Sequence, residues 1–255
     1  MKEIIITILD SFNIRLIRKP DYKSDIRFVP RTYVDRAEVK QLHNILDRLA
    51  SDRLDSGAGD GLSGKELRAY MSRRRMSRQN DFVGFILASH DSLSGKNVLD
   101  VGCGMGYLLC LIGRQMNRAR LIGFDPSLKS KLIAAHVCPS AEFNSALLSY
   151  EKPVSADVII AAQVLEHLEN PADFCHLLKA NASSKACYHF SVPDGRLDSL
   201  SAGEYFEDNG AYTGHINFWS PESLMIFLES VFEGHQVDVG ISEWGDIFAS
   251  VVPSS

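Results

Sequence analysis

The stretch Asn97-Val98-Leu99-Asp100-Val101-Gly102-Cys103-Gly104-Met105-Gly106 constrains the fold more than any other part of the chain. Asn97 to Val101 is a short apolar run that reads as a buried strand, and the residues after the glycines, through about Met116, read as a helix. Between them, three glycines allow a tight turn, because a residue without Cβ accepts positive φ and lets backbone approach a neighbour closely. A strand, a glycine turn and a helix in that order are the unit of a parallel α/β sheet.

The pattern continues downstream. Ala119–Phe124 reads as a second strand, Lys129–Val137 as a helix, Ala141–Asn144 as a short strand and Asp157–Ala162 as the most apolar strand. Asn170-Pro171 and Ser220-Pro221-Glu222 are helix starts, each a capping side chain followed by proline at the first helical position. Ala186–Val192 is a further strand, stopped by Pro193-Asp194-Gly195. Gln236–Ile241 and Ile247–Val252, joined through Ser242–Asp246, complete a seven-stranded set whose last pair is an antiparallel hairpin.

Residues 1–94 read as an N-terminal extension, mainly helical and covering the site, ahead of a domain at 95–255. Glu38–Leu54 carries Val39, Leu42, Ile45, Leu46 and Leu49 on one side, an amphipathic helix. Ser56–Gly61 is a glycine-rich loop, and Phe82, Phe85 and Ile86 mark a second helix leading into the sheet. The start, through Lys19, combines an isoleucine run with Arg15, Arg18 and Lys19; helix and strand both fit it. It is a candidate for weak docking on a membrane or a partner.

Composition narrows the class. With 45% hydrophobic residues and a net charge of -5, the chain suits a globular protein and not a general nucleic-acid binder. Its 5 cysteines form no C-x-x-C pair, so reduced buried thiols are expected, and no bound metal. No apolar run approaches the ~20 residues that cross a bilayer, and the first residues lack a cleavage signal, so a cytoplasmic location is expected.

The glycine loop has the spacing G-x-G-x-G at Gly102, Gly104 and Gly106, not the G-x-G-x-x-G of dinucleotide sites. Asp100 lies two residues before the first glycine. A carboxylate there repels a pyrophosphate but suits a ligand with a sulfonium and an ammonium group. Asp125, nineteen residues after Gly106 at the end of the next strand, can accept bonds from two ribose hydroxyls. An aspartate before Pro126 is also a common helix cap.

Val98–Gly106 resembles the first motif of class I S-adenosylmethionine-dependent methyltransferases, and Gly123-Phe124-Asp125-Pro126-Ser127 resembles the second. Ala156–Leu168 is similar to the segment after the fourth strand in the small-molecule branch (types 11 and 23), and Gly214–Leu224 to the stretch before its last helix. The resemblance covers about residues 95–253. It implies a Rossmann-like sheet and S-adenosylmethionine held by Asp100, Gly102, Cys103, Gly104, Gly106, Tyr107, Asp125, Pro126 and Gln163. Where the family often has an acid after the third strand, this chain has Asn144-Ser145-Ala146, so Ser145 and Ala146 are the candidates for the adenine edge.

The expected activity is methyl transfer to a small molecule. A sugar, nucleotide-sugar or glycan hydroxyl is the first expectation for the acceptor. The alternatives are a quinone, lipid or secondary metabolite, or a non-catalytic cofactor-binding subunit whose histidines would not face the pocket. His167 and His215 are the candidates for taking a proton from a hydroxyl, each equally readable as a structural brace. Glu166 reads as a local helix-start charge, and His189, inside a strand, as a packed residue. The stretch Asp194–Gly214, with Tyr205, Phe206 and Tyr212, is long enough to be a lid. Arg68, Arg73, Arg74, Arg75 and Arg78 form either a solvated helix face or a site for phosphate or carboxylate.

Overall fold

All seven strands expected from the sequence form, and an eighth joins them from the N-terminal segment. The computed structural model describes residues 26–51, 65, 67, 68, 71–90, 94–115, 119–198 and 215–254. The segment 1–19, the loop at 56–61 and the aromatic part of the expected lid lie outside the described residues.

The elements in chain order are β1 (Ile26–Val29), α1 (Arg36–Ser51), α2 (Arg73–Leu87), β2 (Asn97–Val101), α3 (Tyr107–Gln115), β3 (Arg120–Phe124), α4 (Leu128–Val137), β4 (Glu142–Asn144), β5 (Ala156–Ala162), α5 (Pro171–Ala180), β6 (Ala182–Pro193), α6 (Pro221–Val231), β7 (His235–Ser242) and β8 (Asp246–Pro253). A 3-10 turn at Leu165–His167 follows β5, and a single helical turn at Gly195–Asp198 follows β6. The strand order is β1-β7-β8-β6-β5-β2-β3-β4. Only β8 runs against its neighbours β6 and β7; every other pair is parallel.

The extra strand was hidden by its own chemistry. Ile26-Arg27-Phe28-Val29 is short, and Phe28 is left exposed at the edge of the sheet, so no alternation announces it. What recruits it is β7, whose free edge it pairs from Ile26–Val239 to Val29–Ser242. The described residues of the N-terminal part are therefore mainly helical with one strand added. Asp81 on α2 fastens that strand's exit to the β7–β8 turn, accepting from the Thr32 amide at 3.2 Å and the Trp244 Nε1–H at 2.8 Å.

Strand alternation sorts the core onto two faces. Val98, Val158 and Ile160 pack with Leu46, Phe82, Ile86 and Ile112 on the face covered by α1 to α4. Leu99, Ile159 and Ala161 pack with Leu178 and Leu228 on the face covered by α5 and α6. A fully buried side chain such as Leu46 or Phe82 contributes about 1.5–3 kcal/mol. Residues before and after position 94 thus share one core layer.

The helix starts follow the sequence signals. Asn170 accepts from the Asp173 amide ahead of Pro171, and Ser220 and Ser223 form a reciprocal capping box around Pro221. Among the described residues, no helix is long and apolar enough to cross a membrane.

Candidate active site

The chain leaves β2 toward α3 and β5 toward α5, and the neighbouring strands β2 and β5 are where the winding direction reverses. In open α/β sheets ligands bind outside the carboxyl ends of the strands at that switch point. A cavity of about 590 Å³ lies there. The glycine loop, Asp125, the residues after β5, the start of β8 and the α2 face all contribute to its wall.

The three glycines do different jobs. Gly102 has φ +78°, and a Cβ there would meet the Val164 side chain at 2.6 Å, so only glycine lets the loop lie against the residues after β5. Gly104 turns its amide to the Asp125 carboxylate, donating to Oδ2 at 2.9 Å. Gly106 lies off the cavity wall: a Cβ there would meet Phe143 and Ala134, so its role is to let α3 pack closely.

Asp100 is 1% exposed, and among the described residues its Oδ1 has no hydrogen-bond partner. Burial, reinforced by the neighbouring Asp125 carboxylate, pushes this carboxyl up to about 7. A buried acceptor without a donor on a cavity wall is a place where a cationic ligand or an N–H group gains most. Burial, with Asp100 and Asp125 adding to it, likewise raises the Cys103 thiol far above the ordinary range, so Cys103 lines the cavity as an inert thiol.

Asp125 does not cap the following helix. Ser127 does, accepting from the Ser130 amide, while Asp125 Oδ1 accepts from the Ser127 amide at 2.9 Å. Both carboxylate oxygens are thus oriented by backbone amides, and each retains a lone pair for a hydroxyl donor. Pro126, Ser145 and Ala146 are not part of the cavity wall; Ser145 and Ala146 follow β4 at the same edge of the sheet. Tyr107 lines the cavity, but its hydroxyl donates to Glu38 at 2.7 Å, tying α3 to α1.

After β5 the chain turns sharply. Gln163 has φ +58°, a conformation rare for a residue with a Cβ. Its amide donates to the Ser191 carbonyl at 2.7 Å and its Nε2–H to the Ser191 hydroxyl at 3.0 Å. Arg78 reaches the same place from α2. It forms an ion pair with Asp246, its Nε–H lying 2.6 Å from Oδ2, and donates to Gln163 Oε1 at 3.4 Å. The basic run therefore divides. Arg68 pairs with Asp47 and Arg73 donates to the Val34 carbonyl, while Arg75 and Arg78 line the cavity.

His167 and His215 both line the cavity, their rings 4.8 Å apart and edge to face. The wholly buried Glu166 joins them, with Oε1 3.9 Å from His167 Nε2. Glu166 does stand in the first turn of the 3-10 element, as a helix-start charge would, but its side chain is buried beside the two histidines. One ligand atom from each of Glu166, His167 and His215 lies within 4.8 Å of the others. Nothing in the local sequence announces this, because His215 arrives through a fold contact: the amides of Ile216 and Asn217 donate to the Glu166 carbonyl at 2.8 and 3.1 Å. His189 is fully buried between His90 and Ser250.

A doubly wound sheet with a glycine loop, a buried acid at the first strand and a second acid at the next defines a nucleoside-type ligand site of the Rossmann-like class. Residues 38–230 match the family model described as a methyltransferase domain, and the chain belongs to this family, the class I S-adenosylmethionine-dependent methyltransferases. S-adenosylmethionine is accordingly its cofactor.

Relatives include the ubiquinone biosynthesis O-methyltransferase of Bordetella bronchiseptica, 30% identical over 140 residues, which are 48% of this chain and 55% of that protein. The enzyme of that name from Xylella fastidiosa strain M23 is 35% identical over 113 residues, 42% of each chain. The alignments thus span about half the length of these relatives. Solved structures with the same fold include the plantazolicin methyltransferase BpumL with S-adenosylhomocysteine (TM-score 0.55, 15% identity, 87% of this chain and 100% of that one). The magnesium protoporphyrin IX methyltransferase of Synechocystis PCC 6803, also with S-adenosylhomocysteine, aligns with TM-score 0.55 and 18% identity over 85% of this chain and 100% of that one.

Proposed function

We propose that this protein transfers a methyl group from S-adenosylmethionine to a hydroxyl oxygen of a small acceptor of the phenol or quinol type. The observation that carries this reading is one cavity wall that joins the glycine-loop acids to His167 and His215. A cofactor-binding subunit without turnover needs the acids at the glycine loop but not two imidazoles on the same cavity wall. The shift from a sugar hydroxyl to a phenolic one is supported by the relatives, which carry the name ubiquinone biosynthesis O-methyltransferase.

The cofactor supplies an activated methyl group on a sulfonium. In this reading Asp100 and the Gly102–Gly104 turn receive its cationic end, and Asp125 accepts from the ribose hydroxyls. Ser145 and Ala146 attend the adenine edge. Asp100 sets the sign of the ligand in this reading: a buried carboxyl whose Oδ1 lacks a hydrogen-bond partner among the described residues favours a cation and disfavours a phosphate. Gln163, locked by Ser191 and Arg78, holds the wall between the donor and acceptor sides. The displacement is in line, so most of the acceleration comes from holding the acceptor oxygen, methyl carbon and sulfur in register and from excluding water. His167 and His215 handle the acceptor hydroxyl. With net charge -5 the chain is suited to a small-molecule acceptor and not to a nucleic acid.

The test is a screen for S-adenosylhomocysteine release with catechols and hydroquinones, with and without an isoprenoid tail, beside nucleotide-sugars and lipid-linked glycans. Turnover is expected with the phenolic set. Turnover confined to the sugars, or cofactor binding with no turnover on any acceptor, overturns the reading.

A further inference from the structure

His167 and His215 have two chemically distinct uses, as proton acceptors or as ligands, and Glu166 decides between them. A carboxylate buried to 0% exposure beside two imidazoles is poorly placed to meet a bulky acceptor itself. It is well placed to neutralise a cation lodged between itself and the two rings, because a buried charge is tolerated when it is paired or coordinates a metal.

We propose that Glu166, His167 and His215 form a binding site for one divalent first-row transition-metal ion at the acceptor side of the cavity. This deepens the O-methylation reading and rests on it for the ion's role, but not for the existence of the site.

The geometry carries it. The three ligand atoms lie within 4.8 Å of one another. Two ligands each about 2.1 Å from one ion are separated by at most about 4.2 Å, so small rotations of the rings and carboxylate close the set. The backbone is already in place for this. Besides the two amides on the Glu166 carbonyl, the Asn217 side-chain amide donates to the carbonyls of Leu165 at 3.1 Å and Leu168 at 2.6 Å. That clamp holds the segment carrying His215 against the 3-10 turn carrying Glu166 and His167, so the ligands are preorganised on two segments instead of gathered by the ion.

The donor set names the ion class. One carboxylate and two imidazoles suit manganese, iron, cobalt, nickel or zinc, whereas magnesium and calcium prefer all-oxygen surroundings. Three protein ligands leave open positions, and both histidines face the cavity. An acceptor hydroxyl bound at such a position is acidified and gives its proton to solvent water. The oxygen lone pair then forms the new bond to the methyl carbon while the carbon–sulfur bond breaks, its electron pair returning to sulfur. The charge balances, since the sulfonium becomes a neutral thioether and the alkoxide or phenolate a neutral ether. The ion changes no oxidation state.

The test uses the untagged full chain, stripped with EDTA, and needs no acceptor. Titration with Co²⁺ is followed by its visible absorption and with Mn²⁺ by loss of the free-ion spin-resonance signal. One equivalent is expected to bind, and His215→Ala and His167→Ala are each expected to weaken binding at least ~10-fold. Glu166→Gln, at a buried position, is scored only if S-adenosylhomocysteine affinity shows it folded; the two histidine variants stand without it. Failure of the wild type to bind either ion, or equal binding by the double histidine variant, overturns the proposal. The two readings fail separately. Metal binding with no phenolic turnover sinks the acceptor class alone, and phenolic turnover unchanged after EDTA with no metal bound sinks the site alone.

Discussion

Replacing Asp100 with asparagine should remove a pH dependence that the fold builds into the ligand-free protein. The carboxyl is raised from 3.8 to about 7, mainly by burial and secondarily by the Asp125 charge. Above the unfolded value and below the folded one, the folded protein keeps a proton that the unfolded chain has released. The contribution is therefore fully present below 3.8 and is lost as pH rises through about 7. A shift of that size corresponds to about 4 kcal/mol at 1.36 kcal/mol per pH unit, an order-of-magnitude figure. Solvent screening takes little from it, because Asp100 is 1% exposed. Asparagine mimics the protonated acid without titrating. Denaturant unfolding of the ligand-free wild type and Asp100→Asn at about pH 5 and about pH 8.5 should show wild type losing about 2–3 kcal/mol more than the variant, since only the interval from about pH 5 to about 7 contributes. A cationic ligand draws the carboxyl back to its charged form, so S-adenosylmethionine binding near pH 6 should release a proton, seen by calorimetry in buffers of different ionisation enthalpy. Parallel stability profiles for the two proteins, together with no proton release on binding, would refute the assignment of Asp100 to the cationic end of the cofactor.

Asp125→Ala removes an acceptor for the Gly104 amide and, in the proposed arrangement, for the ribose; S-adenosylhomocysteine affinity by calorimetry should fall at least ~10-fold, and an unchanged affinity rejects the ribose role. Arg78→Ala leaves Asp246, 1% exposed, without its guanidinium. The loss should be about 2–3 kcal/mol in denaturant unfolding, below the 3–5 typical of a fully buried pair because the Arg78 side chain is 26% exposed. A variant as stable as wild type would show that this pair only orders Gln163.

The strands from Asn97 onward and the two proline-led helices were legible because each rests on signals a few residues long. Asn170 and Ser220 cap the helices that their following prolines announce, and Asp157–Ala162 is apolar enough to be a central strand by itself. The glycine-loop side of the cavity wall was legible for a related reason. Asp100, Gly102 and Gly104 are one continuous turn, and Asp125 comes at the end of the strand that pairs β2 in register. Gly106 and Tyr107 belong to the same run of sequence, yet one serves helix packing and the other holds Glu38. A motif records which residues occur together, not which way each faces.

The glycine turn thus determined the strand-turn-helix unit of the parallel sheet and set a buried carboxyl, Asp100, on the cavity wall. Glycine's freedom at positive φ and a carboxylate at a strand end are local properties of the chain. Tertiary structure alone decided that Ile26–Val29 adds a strand beside β7, that Arg78 pairs with Asp246 on the cavity wall, and that His215 stands with Glu166 and His167. Each of these joins residues far apart in sequence, and their energies come from a shared sheet edge, a buried ion pair and a backbone clamp. Such terms exist only once distant segments have been packed together, so no window along the chain contains them.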